Sequence, residues 1–178
     1  VIPGGFSYGD YLRSGAIARF ADIMDSVQEY AANGGKVLGI CNGFQILLEA
    51  GLLPGAMKRN DSLHFISKYH TLKVINTDNK FLSLMKRDEI VNIPVAHHDG
   101  NYYIDANGLK ELEDNNQILL KYCDKDGNLV NMNGSISNIA GICNKQKNVF
   151  GLMPHPERAI ETILASTDGV NMLKGFLQ

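Results

Sequence analysis

Apolar residues recur at helical spacing at Ile17, Phe20, Ala21, Met24, Val27 and Ala31, while Arg19, Asp22, Asp25, Ser26 and Glu29 fill the other face. This predicts a helix, and Asn33-Gly34-Gly35 predicts its left-handed C-terminal cap. Val1-Ile2-Pro3 reads as the tail of a buried strand, and Lys36–Ile40 as a complete one. A second helix is expected from Phe44 to Ala50, ended by Gly51 and the turn Leu53-Pro54-Gly55. The first third thus alternates strand, helix, strand, helix, which predicts parallel strands joined by right-handed crossovers.

The middle reads differently. His64–Ser67, Tyr69–Val74 and Ile90–Val95 are strand-like with helix-poor connections, so antiparallel members are expected in the sheet. Leu109–Glu113 predicts a short helix, Gln117–Tyr122 a strand and Asp126-Gly127-Asn128 a turn. Ile139–Cys143 and Val149–Met153, joined by the polar run Asn144–Asn148, predict a hairpin. A last helix, capped by Asp168, is expected to run to Gln178. Together these elements predict an α/β fold with a mostly parallel sheet, flanking helices and some antiparallel strands. Residues 1–178 read as a single domain that is incomplete at its N-terminus, because the chain starts inside a strand and without methionine.

Composition narrows the function classes. With 178 residues and 44% hydrophobic content the chain can bury one sizeable core. A net charge of −2, from 17 basic and 19 acidic side chains, argues against a nucleic-acid surface or a basic membrane-binding face. No apolar run approaches the ~20 residues of a membrane span. The three cysteines, Cys41, Cys123 and Cys143, are odd in number and lack a Cys-x-x-Cys pair. That usage points to a reducing, cytoplasmic setting, with no disulfide framework and no metal site.

The chemistry concentrates at Gly39-Ile40-Cys41-Asn42-Gly43, a nucleophile elbow between strand and helix. A thiol there stands at a helix N-terminus, where free N–H groups and the dipole favour thiolate. Such a nucleophile needs a base and an orienting acid. Of the five histidines, His155 is the best base: two prolines hold it, and Glu157, two residues on, can share its side. His97 and His98 end a strand before Asp99-Gly100, which allows a binding role; His64 and His70 read as structural, and Cys123 and Cys143 as core. Gly4-Gly5-Phe6-Ser7-Tyr8-Gly9-Asp10 offers free backbone N–H groups, although a glycine loop alone is more often a turn.

These motifs carry a resemblance. Gly39–Gln45 with Pro154-His155-Pro156-Glu157-Arg158 is similar to the class I, triad-type glutamine amidotransferases. More narrowly, Pro3–Arg13 followed by Gly15–Phe20 resembles the glutaminase component of phosphoribosylformylglycinamidine synthase in de novo purine synthesis. The likeness continues through Gly51–Met57, Ile93–His97, Asn133-Gly134-Ser135, Ile139-Ala140-Gly141 and Met153–Ala159. One departure is His98 before Asp99-Gly100, where the family pattern has a smaller residue.

The resemblance implies a flavodoxin-like fold lacking its first strand–helix unit. It implies that Cys41 attacks the side-chain amide of glutamine, that His155 serves as base and then acid, and that Glu157 orients it. It places the oxyanion hole at the Gly5 and Asn42 backbone N–H groups, and substrate contacts at Gln45 and His97. It implies a partner synthetase, as separate subunit or as domain, and leaves a small bridging subunit open. ATP and Mg are expected on that partner, because this chain lacks Gly-x-x-x-x-Gly-Lys-Ser/Thr. Two alternatives stand beside this reading: a class I glutaminase of another synthase, and a non-catalytic cysteine-elbow protein for binding or redox sensing.

Overall fold

The computed structural model describes residues 1–178. Its strands are β1 (Val37–Ile40), β2 (Ala56–Lys58), β3 (Ile66–Val74), β4 (Ile90–His97), β5 (Asn101–Tyr103), β6 (Ile118–Tyr122), β7 (Ile139–Cys143) and β8 (Val149–Leu152). Its helices are α1 (Ile23–Ala32), α2 (Asn42–Glu49), α3 (Ala106–Asp114) and α4 (Gly169–Leu177). Six strands form one sheet in the order β1-β8-β7-β6-β3-β4, and β2 pairs with β5 in a small separate ribbon. No helix is long and apolar enough to cross a membrane.

The expected α/β architecture forms, and its parallel part is a narrow seam. Ile2 bridges Gly39 in parallel, and β1 runs parallel to β8. The remaining pairings in this sheet, β8–β7, β7–β6, β6–β3 and β3–β4, are antiparallel. The sheet described here is therefore less parallel than the patterning of the first third suggests. Parallel neighbours need a crossover of a dozen or more residues, usually a helix. Between Ala50 and Val149 the chain forms one α-helix, α3, and a single 3-10 turn, so antiparallel returns dominate. The β7–β8 hairpin forms as expected, with Gly141 opposite Leu152.

Two boundaries differ from the periodicity. Helix α1 starts at Ile23, because Ala21 is extended with ψ at 137°. The residues before it instead pack on α2: Gly15, at φ 81°, lies so close that a Cβ would sit 2.8 Å from the Gln45 carbonyl carbon. At the other end the expected cap forms, with Gly34 at φ 83° and the Gly35 N–H donating to the Tyr30 carbonyl at 2.9 Å. Asp168 does not cap α4; its Oδ2 accepts from the Asn92 N–H at 2.7 Å.

Helix α2 is buried from Asn42 to Leu48. One face, with Phe44 and Leu47, joins the main core with Val37, Leu38, Phe150 and Leu152; Ile46 meets Ala18 and Met24 on the other side. Phe81 ties the far layer together, tilted against Phe150 at 5.2 Å and stacked on Phe176 of α4 at 5.9 Å. The sheet curls until its β4 edge reaches the end of the parallel seam. There the His155 N–H donates to the Pro94 carbonyl at 2.8 Å.

Candidate active site

The elbow is built by its glycines. A Cβ on Gly39 would fall 2.7 Å from the Gly43 carbonyl carbon, and one on Gly43 would collide with the Ile2 carbonyl oxygen. Only glycine lets helix and strand approach this closely. Between them Cys41 takes φ 50° and ψ −105°, a strained conformation for a side-chain-bearing residue. Its N–H donates to the Leu152 carbonyl at 2.8 Å, which pins the turn to β8.

His155 lies three residues past the end of β8, and its ring is buried. Its Nδ1 lies 2.7 Å from Glu157 Oε1, so Glu157 holds the tautomer that leaves Nε2 free to take a proton. That Nε2 has no protein partner. Gly4 packs against both chemical groups: a Cβ there would lie 2.8 Å from His155 Cε1 and 3.5 Å from Cys41 Cβ. The structure thus gathers Cys41, His155, Glu157 and the Gly4-Gly5 loop, drawn from opposite ends of the chain.

The thiol departs from expectation. Burial pushes the Cys41 thiol up to about 12, the Asn42 N–H pulls the other way, and the Glu157 charge adds to the rise. The expected thiolate preference is outweighed, because desolvation of a buried anion exceeds the help from one helix terminus. The neutral thiol donates to the Ala96 carbonyl at 3.6 Å. Asn42 and Gly5, the two oxyanion-hole candidates, both lie next to Cys41. Asn42 is the first residue of α2, with no intrahelical acceptor for its N–H, and Gly5 lines the cavity beside Cys41.

That cavity measures about 340 Å³, within the ~300–1,000 Å³ common for small-molecule sites. Gln45 lines it, with its amide already engaged: Nε2 donates to the Asp99 carbonyl at 2.7 Å and Oε1 accepts from Asn42 Nδ2 at 2.8 Å. His97 lines it too, with its Nδ1 3.1 Å from Asn60 Oδ1. Burial, with His155 nearby, pulls the His97 imidazole down to about 4. His98 sits at the half-buried rim between Asp99 Oδ1 at 3.1 Å and the Leu63 carbonyl at 3.2 Å.

Sequence reasoning left out several groups here. Asp10 and Asp99 bring two carboxylates to the cavity, and Arg59 a guanidinium 4.0 Å from Asp99. The Ser14 hydroxyl donates to Asp99 Oδ2 at 2.9 Å. Burial and the nearby Asp99 charge push the Asp10 carboxyl up. Asp10 ends the Gly4–Asp10 loop, and an acidic residue in a glycine loop is a usable signal. Asn60, fully buried behind His97, gave none. Arg13 forms a two-toothed pair with Glu49 at 2.6 and 2.7 Å and ties the glycine loop to α2.

The chain matches the family described as CobB/CobQ-like glutamine amidotransferase domain over residues 1–172. It is 70% identical to the phosphoribosylformylglycinamidine synthase subunit PurQ of Sulfurimonas denitrificans, over 100% of this chain and 80% of that protein. The corresponding subunit of Wolinella succinogenes is 64% identical, over 99% of this chain and 78% of that protein. The structure of PurLQS from Thermotoga maritima superposes with a TM-score of 0.86 at 42% identity, covering 98% of this chain and 76% of that one. These likenesses favour the narrower sequence reading over a glutaminase of another synthase or a non-catalytic elbow. The chain belongs to the glutamine amidotransferases, in the branch formed by the PurQ subunits of phosphoribosylformylglycinamidine synthase.

Proposed function

We propose that this chain hydrolyses glutamine at Cys41 and passes the ammonia to a synthetase that makes formylglycinamidine ribotide in purine biosynthesis. The observation that carries the mechanism is the buried His155 ring, oriented by Glu157 at 2.7 Å and packed with Cys41 around Gly4. As the Cys41 sulfur bonds to the amide carbon, its proton passes to His155 Nε2. The N–H groups of Asn42 and Gly5 receive the developing oxyanion. His155 then returns the proton to the departing nitrogen, the C–N bond breaks, and ammonia leaves a γ-glutamyl thioester. Water, deprotonated by His155, hydrolyses the thioester to glutamate and restores the thiol.

A thiol raised to about 12 fits this scheme. Proton transfer to His155 accompanies attack, and no resident thiolate waits in the cavity to react with other electrophiles. Asp10 and Asp99 suit the α-ammonium of glutamine, and Arg59 suits its α-carboxylate. On the pattern of the PurLQS assembly, the partners of this chain are a synthetase subunit and a small bridging subunit. ATP and Mg then belong to the synthetase. The three free cysteines agree with a cytoplasmic enzyme.

A glutamine-mimicking diazoketone tests the reading. The expected result is an adduct at Cys41, located by mass spectrometry and suppressed by glutamine. An adduct at Cys123, or labelling indifferent to glutamine, overturns it. Ammonia transfer to formylglycinamide ribotide is then measured with the synthetase present, and its absence removes the assigned acceptor.

A further inference from the structure

The thioester chemistry gives the amide oxygen two N–H donors but leaves open what receives the amide NH2. Strand β4 supplies the answer. Val91, Ile93, Val95 and His97 alternate along its buried face, so His97 ends an apolar stripe and stands where another Val or Ile would suit the pattern. Its ring is 2% exposed and lines the cavity beside Cys41.

Asn60 fixes which nitrogen carries the proton. Its Nδ2 donates to two carbonyls, those of His64 at 2.9 Å and His97 at 3.0 Å, so its amide orientation is set. Asn60 Oδ1 is therefore an acceptor; the Gly100 N–H donates to it at 3.2 Å, and His97 Nδ1 lies 3.1 Å away. His97 must then be protonated on Nδ1 and bare on Nε2. That Nε2 is buried and meets no protein partner. Its chain neighbour Ala96 offers a second acceptor, the carbonyl that takes the Cys41 thiol at 3.6 Å and loses that donor once sulfur is acylated.

We infer that His97 Nε2, together with the Ala96 carbonyl, accepts the N–H groups of the glutamine amide and of the ammonia released from it, so that His97 determines specificity for an amide. The inference rests on the glutaminase reading and deepens it. Donors face the amide oxygen and acceptors face its nitrogen. A glutamate carboxylate in the same place would set its lone pairs against those of His97 and Ala96, which favours release of the product. Because His97 stays neutral across the physiological range, it holds ammonia without protonating it, and the nucleophilic form is preserved.

Glutamine and glutamate γ-methyl ester separate this role from a structural one, since the ester has the same carbonyl and no N–H. For His97→Leu the ratio of kcat/KM for glutamine to that for the ester is expected to fall about 10- to 100-fold, the discrimination usual when a buried acceptor loses its donor pair. His97→Gln, which can return an oxygen near the Nε2 position, is expected to recover most of the ratio. An unchanged ratio in His97→Leu, or equal loss of both activities, overturns the inference. His97→Met, closer in length, is read by the same criterion if circular dichroism shows the Leu variant unfolded. Absence of both activities in the unaltered protein would instead remove the glutaminase reading itself.

Discussion

Replacing Glu157 by Gln separates two effects of one carboxylate. The isosteric amide keeps an oxygen acceptor for His155 Nδ1–H, so the 2.7 Å contact survives and only the charge is lost. That charge stabilises the imidazolium formed when the thiol gives up its proton. At about 4 Å between charge centres, a unit pair is worth ~1 kcal/mol in water and ~4 kcal/mol at an effective dielectric of 20. The Glu157 side chain is 39% exposed, which draws the value toward the water limit, about 1–2 kcal/mol. The expected cost is thus about 5- to 30-fold in kcat for glutamine hydrolysis, read by glutamate release. The same charge helps raise the Cys41 thiol, so in the variant the pH profile of Cys41 alkylation by iodoacetamide must move down. Slower turnover with an easier-to-ionise thiol is the signature. Undiminished kcat, or an alkylation profile displaced upward, refutes the reasoning.

Other consequences are open to measurement. Gly43→Ala drives a methyl group onto the Ile2 carbonyl, and overpacking of this kind costs about 1–3 kcal/mol; calorimetry should show a Tm lowered by roughly 2–12 °C. His97 binds protons more readily unfolded, near the ordinary imidazole value of 6.5, than folded, near about 4, so its contribution is intact above the former and lost as pH falls toward the latter. The loss amounts to about 3 kcal/mol. Urea unfolding between those limits should show a slope that His97→Gln flattens; equal slopes in both proteins would refute the buried neutral state. Asp99→Asn removes one of two carboxylates facing the substrate ammonium. It should raise the KM for glutamine about 10-fold while kcat changes little, and a kcat defect without a KM change would place Asp99 elsewhere.

Local geometry was readable from sequence wherever a few adjacent residues decide it. The elbow at Cys41, the Gly34 cap and the β7–β8 hairpin follow from glycine, proline and alternation, and each forms. His155 and Glu157 were legible because two prolines and a two-residue spacing constrain them. Long-range arrangement was not. Nothing near Ala96 or Pro94 says that the far edge of the sheet returns to the elbow, since curl is a property of all six strands together. The thiol's upward displacement was hidden for the same reason: helix position is local, whereas burial is summed over the whole fold. Asn60 matters through the His97 ring, 37 residues away, and a single polar residue before a turn carries no mark of that.

Strand β4 is the open edge of its sheet, and open edges are where strands from other molecules attach. Three of its outward residues already have a partner for one backbone group each. The Asn92 N–H is held by Asp168, Pro94 has no N–H and gives its carbonyl to His155, and the Ala96 carbonyl takes the Cys41 thiol. A proline at an outward position forfeits no ladder bond. The groups that align nucleophile and base therefore also occupy part of the edge that a foreign strand would use, so resistance to self-association draws on the same backbone atoms as catalysis. Mutations that loosen His155 or Asp168 from this edge should surface first as aggregation in storage, before any change in melting temperature.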